Sequence, residues 1–476
     1  MLQYKDTHKL SELKNSFTHS WYETDFIFKT LRCFSFSQLN KSLSFFKVKG
    51  YKFDLVMSIL IALPFINVST VNQLSGIIAP QKDVFYRLKN NTAICWCFIL
   101  WLFAVKFCKL THNQQAEHNT KCLIFDDTTI AKSGKCIEGV SRVWDHVQNR
   151  SILGFKLLLM GLWDGTSFIP LDFSLHREVG KNKAKSFGLS GKEIKKQKKV
   201  KRKAGTHAYD RIKEADQDKI TSMIKMLKRA VSHKIDFEYV LTDSWFTCEA
   251  LIEQVYQIKQ RCVKLIGMYS KVKTKFNFRG KSLTYKQIRN YLGKPKRCRS
   301  LKLYYLQAHV NYKGYAIQLF FCKQGQNGKW KVILTTDNTI SFIQLIELYQ
   351  TRWTIEVFFK ESKQLLRLGK CQSETFDAQI ADLTITMIQH ILLTFRHRYD
   401  TYETKGALFE QIQHDTALLR LNERLWGLFV ELINIITELF DNIDSEALLI
   451  KMINDETAMK KISLLLNPDF DEKNIA

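Results

Sequence analysis

Three carboxylate positions and one cationic helical face are the parts of this sequence equipped for chemistry. Asp126 and Asp127 close the apolar run KCLIFDD, Asp243 follows FEYVLT, and Glu356 lies inside SFIQLIELYQTRWTIEVFFKESKQLLRLGK, residues 341–370. Clustered carboxylates suit Mg²⁺, which prefers hard oxygen ligands and keeps several waters. Two such ions roughly 4 Å apart activate an attacking oxygen and stabilise a leaving one in phosphoryl displacement, with no protein nucleophile. Asp126 and Asp127 point to opposite faces of a strand, so alternation admits only one of them as a ligand. The residues by themselves leave that choice open.

The element that must carry Glu356 reads as one amphipathic helix, Ser341 to Lys370, of about eight turns. At 100° per residue, Tyr349, Arg352, Glu356 and Lys363 fall within roughly 60° of one another. Leu348, Ile355, Phe359 and Leu366 form an apolar flank beside them. The same face read blandly is a solvated one with ordinary (i, i+3) and (i, i+4) ion pairs.

Bulk composition favours the chemical reading. The chain has 476 residues and a net charge of +26, from 72 basic against 46 acidic side chains. That excess points to a polyanionic partner, nucleic acid first and an anionic membrane surface second. A hydrophobic content of 45% with only 5 Pro and 20 Gly describes a folded chain of two to four domains. The 11 cysteines contain no CxxC pair, which points to reduced thiols in an intracellular compartment. Cys95 and Cys97, near Cys108 and His112, lack zinc-knuckle spacing. Met1 to Asn15 is polar and does not read as a signal peptide. Ala93 to Cys108 falls short of the ~20 residues needed to span a bilayer and contains Lys106, and Leu55 to Val68 is broken by Pro64. Both read as buried helices, so no membrane partner is expected.

Residues 1–115 read as a helical N-terminal region. Within it, Asn67 to Arg87 has the cadence of a helix–turn–helix, with Lys82, Arg87 and Lys89 as phosphate or base contacts; a plain bundle fits equally. At Lys121 the pattern changes to strands. Arg150–Trp163 and Thr166–His176 form a hairpin around Asp164-Gly165. A strand ending in acids followed by such a hairpin opens a ribonuclease-H-like α/β sheet. The run from Lys181 to Lys203 is opposed only by Glu193 and reads as a mobile, phosphate-contacting loop. Tyr209 to His233 reads as a helix, Phe237 to Thr242 as a strand, Trp245 to Gln260 as a helix and Arg261 to Met268 as a strand. Acids at strand ends project into the crevice where open α/β sheets bind ligands. Residues 269–337 lose the helical period and read as a β-rich insertion before the catalytic helix. The chain then returns to helix, with 401–476 as a C-terminal region for self-association or DNA-end pairing.

The spacing Tyr349-x2-Arg352-x3-Glu356-x6-Lys363 resembles the YREK signature of the cut-and-paste DDE transposases of bacterial insertion sequences (the insertion-sequence-four family). FDDTT resembles that family's first acid context and LTDSWF its second, and the likeness spans roughly residues 120 to 400. The resemblance implies a catalytic domain over 116–400 in which Asp127, preceding the threonine pair, Asp243 and Glu356 bind two Mg²⁺ ions, with Mn²⁺ as a substitute. Asp126 is a neighbour whose role the resemblance leaves open. Tyr349, Arg352 and Lys363 would hold the phosphates flanking the scissile bond, gripping backbone without reading sequence. Relatives with such an insertion cut through a DNA hairpin and hold a flipped base, for which Trp330 is a stacking platform here or else a core residue.

The reading is a transposase that binds the terminal inverted repeats of its element in double-stranded DNA as a homodimer. It would cleave the element ends and join the freed 3′-hydroxyls to target DNA, in a bacterial cytoplasm. Two rivals are a nuclease of the same fold without strand transfer and a non-catalytic DNA-binding protein.

Overall fold

In the computed structural model, residues 26–36, 50–68, 70–74, 81–112, 120–180, 182–258, 262–416, 433, 445–458 and 460–461 are described. The architecture is mixed α/β around a 12-stranded sheet. Its strands are β1 Cys122–Ala131, β2 Ser141–Asp145, β3 Arg150–Trp163, β4 Phe168–His176, β5 Tyr239–Thr242, β6 Lys264–Met268, β7 Lys275–Phe278, β8 Lys281–Thr284, β9 Lys296–Cys298, β10 Leu303–Tyr312, β11 Tyr315–Gln324 and β12 Lys331–Thr335.

The sheet runs β2-β3-β1-β5-β6-β12-β11-β10-β7-β8, with β4 also on β3 and β9 on β10. β1 pairs antiparallel with β3 along its whole length and parallel with β5 over three residues. β5 and β6 are parallel. The hairpin expected at Asp164-Gly165 is present: Asp164 accepts the backbone N–H groups of Thr166 and Ser167, and Gly165 takes φ +93°. β4 is buried along its whole length under helices, and the polar groups it buries are paired, as Asp172 is with Arg229 and Arg211.

The helix Phe376–His397 is the central covering element. It packs against the helix Trp96–Thr111, the helix Phe53–Ala62 and β4. Among the described residues it alone is long and apolar enough to cross a membrane, yet 94% of its most apolar 18-residue stretch is buried inside the protein. Gln389 within it donates to the carbonyls of Leu60 and Ile61, and Lys89 pairs with Asp382 at 2.7 Å. The N-terminal helices therefore share a core with the sheet. Much of the helix–turn–helix cadence (69 and 75–80) and most of 401–476 fall outside the described residues; Lys82–Lys89 is helical.

Several expectations need correction. The first strand does not stop at the acids but continues to Ala131, because β3 offers ten consecutive partners. Residues 269–337 are β-rich as expected, with β7 to β12, and also hold the helix Tyr285–Tyr291, started by a capping box at Thr284 and Gln287. The segment joins the main sheet, because β12 pairs antiparallel with β6 and continues it. Tyr209 to His233 is two helices, His207–Glu214 and Lys219–Ser232, the second begun by Asp218, whose carboxylate accepts from Thr221 N–H.

The lysine-rich run is not a free loop. Ser190 and Glu193 form a capping box on the helix Gly191–Lys196. Beyond it, Lys198 N–H donates to the Cys136 carbonyl and Val200 N–H to Glu138. Arg202 turns inward, bidentate to Glu138 at 2.6 and 2.8 Å and bonded to Asp377 at 2.7 Å, with its side chain only 3% exposed. Charge density in the sequence hid this anchor, because one arginine among lysines looks like more of the same.

Candidate active site

The register of the two parallel strands sets the site. The last β1–β5 pair is Ile124 with Leu241. Two residues further along each chain are Asp126 and Asp243, on the same side by alternation. β5 ends at Thr242, and Asp243 turns the chain: its Oδ1 accepts from Trp245 and Phe246 N–H at 2.9 and 3.0 Å. Thr242 and Thr247 hydroxyls meet at 2.9 Å beneath that turn. Gly267 on β6 leaves room for them, since a Cβ there would stand 2.2 Å from Thr247 Oγ1.

The stretch 341–370 is three pieces, not one helix. A capping box at Ser341 and Gln344 starts the helix Phe342–Gln350, a 3₁₀ turn covers Thr351–Trp353, and the helix Thr354–Gln364 follows. Thr351 and Thr354 hydroxyls bond back to the carbonyls three residues earlier, competition that accompanies a tightened turn. The end falls short of Lys370 because Arg367 and Gly369 adopt φ +61° and +81°. The 3₁₀ turn does not scatter the polar face. Tyr349 OH donates to the Thr242 carbonyl at 3.2 Å, Arg352 Nη1 to Asp126 Oδ2 at 3.0 Å, and Lys363 Nζ to Thr128 Oγ1 at 2.8 Å. Arg352 Nη2 also donates to Glu356 Oε1 at 2.6 Å. Ile355, Phe358 and Phe359 are buried beneath, with Phe358 against Phe168 and His390. The helix is thus laid along β1, with every member of its polar row meeting a partner near the acids.

Burial pushes the Asp126 carboxyl up to about 7; Arg352 opposes the rise, and the charges of Asp243 and Asp127 add to it. Burial likewise pushes Tyr349 up to about 12, against Arg352. Burial lowers Lys363, with Asp145 opposing. Arg352 is raised: burial works against its charge, but Tyr349, Glu356 and Asp126 together outweigh it. Asp126 is therefore a carboxylate poorly compensated by one shared arginine, which is a setting that a divalent cation would relieve.

Asp127, expected as the first ligand, is not bonded to Arg352 or the glutamate helix. Lys219 pairs with it, and Lys156, 4% exposed, stands 4.0 Å off. Strand alternation is the reason: the side that carries Asp126 and Thr128 meets the glutamate helix, and the side that carries Asp127 and Thr129 meets Lys156 and Lys219. Trp330, expected as a stacking platform, is half-buried against the core with Lys323 Nζ 5.0 Å from its ring. Two other tryptophans stand open beside the acids: Trp245, 50% exposed with Lys219 Nζ 4.1 Å from its ring, and Trp353, 61% exposed. Sequence reasoning passed over both, although each adjoins a quoted acid or signature residue in a polar context.

Among the described residues no three His, Cys, Asp or Glu stand close enough to hold an ion as they are arranged. Arg352 occupies the interval between Asp126 and Glu356. The donors themselves, three carboxylates with one at raised pKa, fit a hard cation of the Mg²⁺ or Mn²⁺ type.

Residues 93–296 match the family model of the DDE superfamily endonucleases. The matched segment carries Asp126, Asp127 and Asp243 and ends before Glu356. No curated protein matches the chain. The similarity supports a DDE-type transposase or endonuclease, with DNA as the substrate class.

Proposed function

We propose that the chain is a transposase of the YREK type, with a ribonuclease-H-like core formed by β4-β3-β1-β5-β6 and the glutamate helix. The observation that carries the reading is the bridge from Arg352 to both Asp126 and Glu356, beside Asp243. On this reading Asp126, rather than Asp127, joins Asp243 and Glu356 as the metal-binding set. A bound pair of divalent cations would supply water activation and charge stabilisation for in-line displacement at phosphorus. Tyr349, Arg352 and Lys363 hold backbone phosphates on either side of the scissile bond, and Arg352 exchanges its carboxylates for phosphate oxygens as DNA arrives. Trp245 and Trp353 offer open aromatic faces on which an unstacked base rests, with Trp330 as the alternative within the β-rich segment. The N-terminal helical region binds the terminal inverted repeats, and two copies pair the element ends in the bacterial cytoplasm.

The test is cleavage and joining in Mg²⁺ or Mn²⁺, with DNA ends taken from the sequences flanking the gene and a supercoiled plasmid as target. Wild-type protein yields joined products, and Asp126→Asn, Asp243→Asn and Glu356→Gln each abolish cleavage while DNA binding survives. Cleavage without joining would instead support a nuclease on the same fold. Retained cleavage in Asp126→Asn would overturn the choice of that acid.

A further inference from the structure

The segment 182–203 lies outside the polar row, and the site chemistry does not use it. Its described side chains divide sharply. Lys185, Lys192, Lys195, Lys196, Lys198, Lys199, Lys201 and Lys203 are exposed, whereas Leu189 is buried and the Arg202 side chain is 3% exposed. From Val200 to Lys203 the burial alternates, with Val200 and Arg202 turned inward and Lys201 and Lys203 outward. The one acid, Glu193, is already spent on the cap at Ser190 and on Lys135 at 2.6 Å.

A solubilising run would have no reason to be held in place, yet this one is fastened at four points. Phe187 N–H donates to the Val179 carbonyl, with the Arg177 guanidinium 4.2 Å from the Phe187 ring centre. Gln197 Nε2 donates to the Val140 carbonyl at 2.8 Å, and Lys198 N–H to the Cys136 carbonyl at 2.8 Å. Arg202 closes the strap in its buried pair of acids. Holding the backbone still leaves lysines already arranged for a polyanion, so less ordering free energy is lost on binding.

We propose that this strap is a second, sequence-independent DNA-binding surface that holds duplex DNA continuous with the strand being cut. The proposal rests on the reading of DNA as substrate. Cys136, to which Lys198 is bonded, lies ten residues after Asp126. Ten residues span ~35 Å at full extension. That is about one turn of B-form duplex, ~34 Å. The strap's anchor at Cys136 thus stands at most ~35 Å from Asp126, so a duplex seated at the acids and running toward it meets the strap within one helical turn. Outward lysines without bidentate geometry suit phosphates, not base edges, so the strap sets grip and orientation and carries no sequence information.

The experiment compares wild type with the quadruple variant Lys195→Gln, Lys196→Gln, Lys199→Gln and Lys201→Gln. Both bind duplexes of unrelated sequence, without divalent metal, across a series of salt concentrations. The expected result is at least tenfold weaker binding near 0.1 M salt, equal for all sequences. The slope of log K against log salt should become shallower by about 2–4, as counterion release at ~0.9 per lost phosphate contact requires. In the wild-type protein the same lysines should lose reactivity toward an acylating reagent when duplex is bound. Unchanged affinity and slope, or unchanged reactivity, overturns the proposal while leaving the catalytic reading intact. Loss of binding to anionic lipid vesicles but not to DNA also overturns it. A wild-type protein that binds no duplex at all removes the catalytic reading together with the strap.

Discussion

Asp126 and Asp127 are consecutive on one strand, yet their carboxylates answer to different partners: Asp126 to Arg352 at 3.0 Å and Asp127 to Lys219. On the proposed reading Asp126 serves catalysis and Asp127 the scaffold, and substituting each should give opposite phenotypes. Asp127→Asn leaves Lys156 and Lys219 without their acid, and an uncompensated buried cation costs about 1–3 kcal/mol. Cleavage should survive within about tenfold, while the denaturant midpoint falls. Asp126→Asn should show the reverse, with cleavage lost and no fall in the midpoint. Equal loss of cleavage in both variants would mean that strand alternation does not sort the two acids.

The raised Asp126 pKa makes a signed prediction about pH. A carboxyl with a folded pKa of about 7 holds its proton more tightly in the folded state than in the unfolded one. Between ~4 and about 7 the folded state then carries the extra proton, so this residue's contribution to stability falls as pH rises through that window. In chelator at pH 8, Asp126→Asn should therefore be more stable than wild type, by up to about 4 kcal/mol, with the difference vanishing by about pH 4. Metal competes with the same proton, so the metal concentration needed for half-maximal cleavage should rise up to about tenfold per pH unit below 7. A pH-independent metal requirement between pH 6 and 8 would contradict this.

How much of this was legible beforehand depends on which residues carried it. The row Tyr349, Arg352, Glu356, Lys363 was visible because helical periodicity survives a single 3₁₀ turn; the turn itself was not, because Thr351 and Thr354 act through back-bonds that no pattern encodes. The start of the first strand and the hairpin at 150–176 followed from apolar runs and the Asp164-Gly165 turn, whereas the continuation of that strand to Ala131 did not. The choice between Asp126 and Asp127 was not legible, since alternation says they differ without saying which face meets the helix. Long-range pairing was equally hidden: the β12–β6 ladder joins residues more than sixty positions apart and turns an apparent insertion into part of the main sheet. Arg202 was concealed by its neighbours, because only the acids Glu138 and Asp377 distinguish it from a surface lysine.

Arg202 should accordingly be a stability residue. Its guanidinium joins the turn before β2 to the first turn of the helix Phe376–His397 through two acids, with side chains 10% and 6% exposed. Arg202→Ala leaves both acids without a counter-charge, a loss of about 3–5 kcal/mol. Chemical denaturation at pH 7 checks the size of the effect. The triple substitution Arg202→Met, Glu138→Gln, Asp377→Asn should recover part of it, because removing all charges avoids the stranded acids. No recovery would show that the guanidinium acts through packing and not charge.

Gly267 gives a test of how the acid-bearing turn is supported. A Cβ there would meet Thr247 Oγ1 at 2.2 Å and Thr242 Oγ1 at 2.8 Å, the two hydroxyls that close the turn carrying Asp243. Both threonines are fully buried, so neither side chain has open space to enter. Gly267→Ala should cost about 1–3 kcal/mol through overpacking, and should lower cleavage even at temperatures where the variant is fully folded. Relief of the stability loss should come from Thr247→Ala, which removes both the hydroxyl 2.2 Å and the methyl group 3.0 Å from the new Cβ. If Gly267→Ala loses stability but cleaves at the wild-type rate once folded, Asp243 does not depend on this hydroxyl pair for its position.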